Sequence, residues 1–358
     1  MDYAGRQKKL LAALAAEGVD ALVVTHLPNV AYLCGFSGSS AALLAQPAGW
    51  TLFTDGRYTE QAQVEVRGAR VAITRKSPLL AAGARLKKSG RSRVGIEAEH
   101  LTVAQGALLQ SSLATGWHAK QTRGVVEKLR MVKEPEEVER LRVAAYTAAA
   151  LLDTAVEAIR PGRSEAAVAA ELEYAARCAG AEGMSFPTIV ASGPRSALPH
   201  GRASAAAIPR NGFVVLDFGV ILASYCSDMT RTLHVGAPGA AMRRVYRAVR
   251  EAQQAAVAAV RPGVKASQVD AAARRVLARA GLGRWFTHST GHGVGLEIHE
   301  GPRLARGVGE FLQPGMVVTI EPGVYLPGRG GVRIEDMVAV TGDGCEVLTP
   351  SPRELIVR

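Results

Sequence analysis

Four carboxylates of this chain, Asp217, Asp228, Glu321 and Glu335, stand inside short apolar or glycine-rich runs, and any fold must account for them. Val214, Val215 and Leu216 precede Asp217, and Val332 and Ile334 lead into Glu335. Ionised carboxyl groups among such neighbours are costly unless a positive charge neutralises them. An imidazole, His292, lies in an equally glycine-rich stretch, THSTGHGVGLEIHE. One cation rarely needs four carboxylates and an imidazole, whereas two divalent cations sharing bridging carboxylates do. These side chains therefore point to a two-metal hydrolase.

The carboxylates recur within a larger repeat. AIRPG at 158–162 is echoed by AVRPG at 259–263, and each is followed by an alanine-rich helical stretch, at 168–179 and 269–280. Further along, LDFGV at 216–220 matches IEPGV at 320–324, with an acid at the same place in each. Directly opposed residues of an antiparallel pair share a face. A tight turn between Leu222 and Ala223 would set Asp217 opposite Asp228, and a turn around Gly328 in LPGRGG would set Glu321 opposite Glu335. Two similar helix-plus-hairpin halves, each presenting a carboxylate pair to a site between them, are the expectation.

The chain has 358 residues, which favours two domains. Residues 6–17 are expected to form an amphipathic helix ending at Gly18, followed by a strand over 20–25. A hairpin over 41–46 and 50–55, with strands at 71–74 and 93–97 and helical stretches between, makes residues 1–127 an α/β domain. KLRMVKEPEEVERLRVAA at 128–145 then starts a long charged helix, with Pro135 suited to a first helical turn and Glu136 and Glu137 at the positive end of the dipole. The second domain is placed at 128–358.

The net charge of +11 raises the question of nucleic acid. The excess is spread over both parts, and the one dense cluster (Arg85, Lys87, Lys88, Arg91, Arg93) lacks interleaved aromatics. With aromatics at 5%, a base-stacking platform is not expected, and a solvated basic face is. No apolar run reaches the roughly 18 residues of a membrane span. The charged beginning, MDYAGRQKKLLAALAAEGVD, does not read as a secretory leader. Cys34, Cys178, Cys226 and Cys345 form no CxxC pair, as expected of reduced thiols in a cytoplasmic protein.

His288, His292 and His299 lie among Gly291, Gly293 and Gly295, and glycine permits the close backbone approach of a crowded site. His292 is the candidate ligand. His288, His299 and, from the loop ALPHGRAS, His200 are candidates for hydrogen bonding to substrate. His26, His100, His118 and His234 are read as ordinary surface or satisfied residues. The DFG at Asp217 lacks the other kinase motifs, the glycines at 291–295 lack the strand and βαβ unit of a dinucleotide site, and no GxSxG is present.

Taken together, SFPTIVASGPRSALPH (185–200), LDFGVILASYCSDMTRTLHVG (216–236), HSTGHGVGLEIHEGP (288–302), VVTIEPGVYLPG (317–328) and GGVRIEDMVAV (330–340) resemble the proline-specific metallopeptidases of the pita-bread fold. These are the Xaa-Pro aminopeptidases and prolidases, relatives of methionine aminopeptidase. Residues 1–127 resemble the creatinase-like amino-terminal domain of that family. The resemblance implies that Asp217 chelates one metal, His292 and Glu321 bind the second, and Asp228 and Glu335 bridge both. Mn²⁺ is the implied ion, with Co²⁺ or Zn²⁺ as alternatives. It assigns His200, His288, His299, Glu321 and Arg333 to the catalytic group, with Glu321 also moving a proton. Ala203 stands where the family commonly has proline. The activity implied is a dinuclear-metal Xaa-Pro aminopeptidase acting through a metal-bridging hydroxide on peptides with proline second. The alternative is an Xaa-Pro dipeptidase, and a non-catalytic scaffold or nucleic-acid-binding relative is a remote third reading. A homodimer formed partly through the amino-terminal domain is implied as well.

Overall fold

The computed structural model describes residues 1–86 and 92–358, so Lys87, Lys88 and Arg91 of the basic cluster lie outside the described residues. The chain forms two compact units, Met1–Arg130 and Met131–Arg358.

The first unit is built on a six-stranded mixed sheet. In spatial order its strands are Arg70–Ile73, Thr51–Thr54, Ala41–Ala45, Ala21–Val24, Ser92–Glu97 and Trp117–Thr122. The expected hairpin pairs antiparallel, with Leu43 opposite Leu52, Ala21–Val24 pairs antiparallel with Ala41–Ala45, and the remaining neighbours pair parallel. Ala21–Val24 is buried at every position, as a central strand covered on both faces must be. Helix Tyr3–Glu17 ends on Gly18 in the left-handed conformation (φ 62°), which glycine adopts without steric cost. Strand Trp117–Thr122 was not anticipated, because WHAKQT carries only two apolar residues, Trp117 and Ala119.

In the second unit the helix expected from residue 128 is broken. Helix Val125–Met131 stops, and helix Pro135–Ala158 begins anew at Pro135 under a Glu134–Glu137 capping box. Proline lacks an N–H and fixes φ, so it starts helices rather than continuing them.

Two helix pairs follow the sequence echo: Pro135–Ala158 with Glu165–Cys178, and Ala240–Ala259 with Ala266–Arg279. The two RPG turns are structural equivalents. Gly162 (φ 84°) donates to the Ile208 carbonyl at 2.9 Å, and Gly263 (φ 80°) to Leu312 at 2.8 Å. Each helix pair packs on its own sheet through its own apolar core. Leu152, Val168 and Leu172 meet Leu216 and Leu233 in the first half. Val249, Val269 and Leu277 meet Ile320 and Val338 in the second. This is the duplicated pita-bread arrangement.

The hairpin registers differ in one respect from expectation. Asp217 lies opposite Thr230, not Asp228. The turn falls at Ala223 and Ser224, one residue later than expected, and both adopt positive φ (47° and 68°) as a two-residue hairpin turn requires. Moving the turn by one residue moves the pairing by two. Asp228 thus becomes a diagonal neighbour of Asp217 on the same face, and the pair stays together. In the second half Ile320 pairs with Asp336 and Gly323 with Arg333, a register in which Glu321 and Glu335 face each other as expected.

Candidate metal centre and active-site cavity

Each candidate ligand stands where a strand ends or bends. Asp217 is near the end of Gly212–Phe218, and Asp228 immediately precedes Met229–Val235. Glu321 follows Val317–Ile320, and Glu335 bridges the step from Gly330–Arg333 to Asp336–Val340. His292 is the middle residue of Gly291–Gly293. A Cβ at Gly291 would meet the Thr319 carbonyl oxygen at 1.9 Å, and one at Gly293 the Gly301 oxygen at 2.0 Å. Only glycine on both sides lets the backbone bring the imidazole this close to the neighbouring strands.

The ligand atoms of Asp228, His292 and Glu335 lie within 4.8 Å of one another. His292 Nε2 is 3.6 Å from Asp228 Oδ2 and 3.5 Å from Glu321 Oε1. Asp217 joins the cluster from the side, bound through Oδ2 by the Arg333 guanidinium. Neighbouring hydroxyls aim the carboxylates. Thr230 Oγ1 donates to Glu335 Oε2 at 2.6 Å, and Thr319 Oγ1 lies 3.4 Å from Glu321 Oε1 and accepts from the His292 amide at 3.1 Å.

The electrostatics ask for positive charge. Burial raises the carboxyl groups of Asp228 and Glu335 well above the usual range, and the neighbouring carboxylates push the same way. Glu321 is pushed up to about 8, first by burial and then by Asp217, against the pull of Arg333. Burial lowers His292 to about 4, so the ring is neutral. Its Nδ1 faces the Gly293 carbonyl at 3.0 Å and must carry the proton, which leaves a lone pair on Nε2 directed at two carboxylates. Carboxyls driven by burial and mutual repulsion to hold protons beside a neutral imidazole suit a cation in the protons' place, and four carboxylates with one imidazole suit a fairly hard divalent ion.

The catalytic candidates line the same cavity, of about 690 Å³. His200 and His299 are exposed there, and the His299 ring lies edge-on to His292 with centroids 4.4 Å apart. His288 is engaged at both nitrogens. Nδ1 donates to the Ser289 carbonyl at 2.8 Å, and Nε2 accepts from Tyr325 Oη at 2.8 Å. The ring is therefore held as a wall rather than offered as a free donor, unlike the role expected for it. Arg333 Nη1 donates to the same Tyr325 oxygen at 2.7 Å, completing a chain from Asp217 to His288.

Sequence reasoning missed Tyr325, which reads as one more apolar residue of VYLPG. It also missed Arg202 and Arg303, exposed cavity residues with no carboxylate partner among the described residues. Phe186, Pro187, Ile189 and Pro199 give the cavity an apolar side.

Residues 139–342 match the model of metallopeptidase family M24, and residues 6–132 that of the Creatinase/Prolidase N-terminal domain. A protein named Xaa-Pro dipeptidase from Pyrococcus horikoshii is 37% identical over 98% of both chains. Among solved structures, an Xaa-Pro dipeptidase from Bacillus anthracis is 40% identical with a TM-score of 0.96, covering 99% of this chain and all of its own. An X-Pro aminopeptidase from Thermotoga maritima is 34% identical with a TM-score of 0.88, covering 97% of this chain and all of its own.

Proposed function

From its membership of metallopeptidase family M24, to which the chain belongs with a Creatinase/Prolidase N-terminal domain attached, we propose that it is an Xaa-Pro dipeptidase. One observation carries the choice of a dipeptide. The cavity that holds the carboxylate–imidazole cluster is also lined by Arg202 and Arg303, which have no carboxylate partner among the described residues. A dipeptide ends in a carboxylate next to its proline, and arginine binds carboxylates in bidentate fashion. The two relatives named as dipeptidases favour the same reading over the aminopeptidase expected from the motifs. Cleavage of longer peptides is the second reading, favoured by the likeness to the Thermotoga aminopeptidase.

Asp217, Asp228, His292, Glu321 and Glu335 would hold two divalent cations, Mn²⁺ by donor chemistry with Co²⁺ or Zn²⁺ as substitutes. When bound, such a pair supplies Lewis-acid polarisation of the scissile carbonyl and a water acidic enough to attack it near neutral pH. The residues of the chain do the rest. Glu321 takes the proton of the attacking water and delivers it to the proline nitrogen, which carries no hydrogen before cleavage and must gain one to leave. His299 donates to the developing oxyanion from beside His292. Arg333 and Tyr325 fix Asp217 and His288, and Phe186 and Pro187 supply an apolar face for the pyrrolidine ring. His200 lines the cavity from its loop, within reach of a bound substrate.

A homodimer belongs to the same proposal on the strength of the family resemblance. A cytoplasmic location is supported by four cysteines that form no CxxC pair, two of them buried. Among the described residues no helix is long and apolar enough to cross a membrane.

The test is to give Mn²⁺-loaded protein Ala-Pro and Ala-Pro-Ala, each with a chelator control. Cleavage of the dipeptide alone, lost on chelation, is expected. Equal or faster cleavage of the tripeptide would make the protein an aminopeptidase, and inactivity on both would remove the substrate assignment.

A further inference from the structure

Helix Ala266–Arg279 carries an ion pair that the proposed chemistry does not use. Asp270 is 1% exposed, and its Oδ2 accepts from Arg274 Nε at 2.7 Å. Its other oxygen, Oδ1, accepts from both the amide (3.2 Å) and the hydroxyl (2.8 Å) of Thr290. The Arg274 guanidinium then spans the segment ahead of Thr290. Nη1 donates to the Phe286 carbonyl at 3.2 Å, Nη2 donates to the His288 carbonyl at 2.5 Å, and the group lies 4.3 Å over the Phe286 ring. The Thr290 carbonyl in turn accepts the Glu321 amide at 2.7 Å. One helix turn thus holds residues 286–290 at four points, and this segment fixes the backbone of Glu321.

We propose that Asp270 and Arg274 are a positioning pair for the reaction, setting Glu321 and His288 in register with the cavity through Thr290 and the 286–288 carbonyls. The planar guanidinium is what the task requires, because it reaches two carbonyls and a carboxylate at once, whereas a lysine ammonium is a single point charge. The buried carboxylate is neutralised by that same group, so the pair leaves no charge uncompensated. Small errors of placement matter, since a displacement of about 1 Å at a catalytic group can cost on the order of 100-fold in rate.

The proposal rests on the catalytic role given to Glu321, so its test includes a measurement independent of substrate. Arg274 lines an open cavity of about 1100 Å³ distinct from the active-site cavity, so a small cation in solution can reach the place it occupies. In Arg274→Ala, kcat is expected to fall roughly 10–100-fold with KM near the wild-type value and metal content retained. Guanidinium ion at millimolar concentration should restore part of kcat. Hydrogen exchange at the Thr290 and Glu321 amides should quicken in the variant and slow again with guanidinium, while amides of strand Met229–Val235 stay protected. Arg274→Lys should behave like Arg274→Ala, and Asp270→Asn should show the same local exchange should Asp270→Ala fail to fold. Unchanged kcat alongside quickened exchange would overturn the proposal. So would a loss of kcat with unchanged exchange at Thr290 and Glu321, or one that guanidinium does not relieve. If the wild-type protein hydrolyses no Xaa-Pro substrate, the dipeptidase reading fails by itself. The exchange measurement then decides alone whether Arg274 holds the Glu321 segment.

Discussion

His292 presents its Nε2 lone pair to Asp228 Oδ2 at 3.6 Å, because its ring proton is held on Nδ1 by the Gly293 carbonyl. With Glu321 and Glu335 alongside, the centre is self-repulsive until a cation enters, and this makes metal binding and stability one question. Glu321 shows the sign. Its ordinary value of 4.5 is raised to about 8 in the folded protein, mainly by burial. The native state therefore keeps a proton that the unfolded chain releases, which by itself removes stability as pH rises from about 4.5 through about 8, by up to roughly 1.4 kcal/mol per pH unit for each such group. Up to about pH 6.5 His288 and His292, both lowered to about 4 by burial, act in the opposite sense, so chelated protein should show its net loss above about pH 6.5. Thermal melts of chelated protein at about pH 6.5, 7.25 and 8 should show a falling Tm. Mn²⁺ added at pH 8 should reverse the fall, because a ligand bound only to the native state stabilises it. A flat Tm across that range would remove the electrostatic account of the site.

Asp228→Asn separates binding from stability. The amide keeps the shape and removes a carboxyl that burial and then Glu335, Asp217 and Glu321 raise well above its usual range. Metal content and turnover should fall together, turnover by a factor of 1,000 or more, as the loss of an essential catalytic element does. The chelated variant should melt higher than chelated wild type at pH 8, since function here is held at the expense of the empty fold. Metal analysis beside calorimetry checks both, and retained turnover with two bound ions would exclude Asp228 as a bridging ligand.

How much of this was legible in the sequence depends on how local the signal was. The AIRPG and AVRPG echo announced the duplicated halves, because a glycine at positive φ after proline makes the same turn wherever it occurs. The carboxylates were legible from their apolar neighbours, since burying a charge needs a reason. The register of the first hairpin was not, because Ala223 and Ser224 take a turn conformation that the sequence would sooner assign to glycine or asparagine. Tyr325 and Arg303 were missed for another reason. Each reads as an ordinary strand residue, and only the fold shows that one hydroxyl links Arg333 to His288 and that one guanidinium lines the cavity that holds the ligands.

Gly291→Ala tests the crowding around His292. The added methyl group would stand 1.9 Å from the Thr319 carbonyl oxygen, a backbone atom that cannot swing away. The strands must part, at a cost of about 3 kcal/mol or more. Because Thr319 Oγ1 also accepts the His292 amide at 3.1 Å, the separation should carry the imidazole off the ligand cluster. Urea denaturation should show the loss of stability, and titration with Mn²⁺ a weaker site. Metal affinity equal to wild type would mean that His292 tolerates the displacement.

Arg303→Gln addresses the substrate directly. Arg303 is exposed on the cavity, without a carboxylate partner among the described residues, so its charge is available to a ligand. A hydrogen bond to a charged group contributes about 1.5–3 kcal/mol, so its loss should raise KM for Ala-Pro by roughly 10–150-fold. The metal centre is untouched, and kcat should stay within a small factor of wild type because uniform binding, not transition-state binding, is removed. Ala-Pro amide has no terminal carboxylate and should be a poor substrate for wild type yet nearly unaffected by the substitution. A double-mutant comparison with Arg202→Gln then divides the carboxylate between the two guanidinium groups. If Ala-Pro and its amide lose equally in Arg303→Gln, the arginine acts on the cavity rather than on the carboxylate, and the dipeptide preference must come from elsewhere.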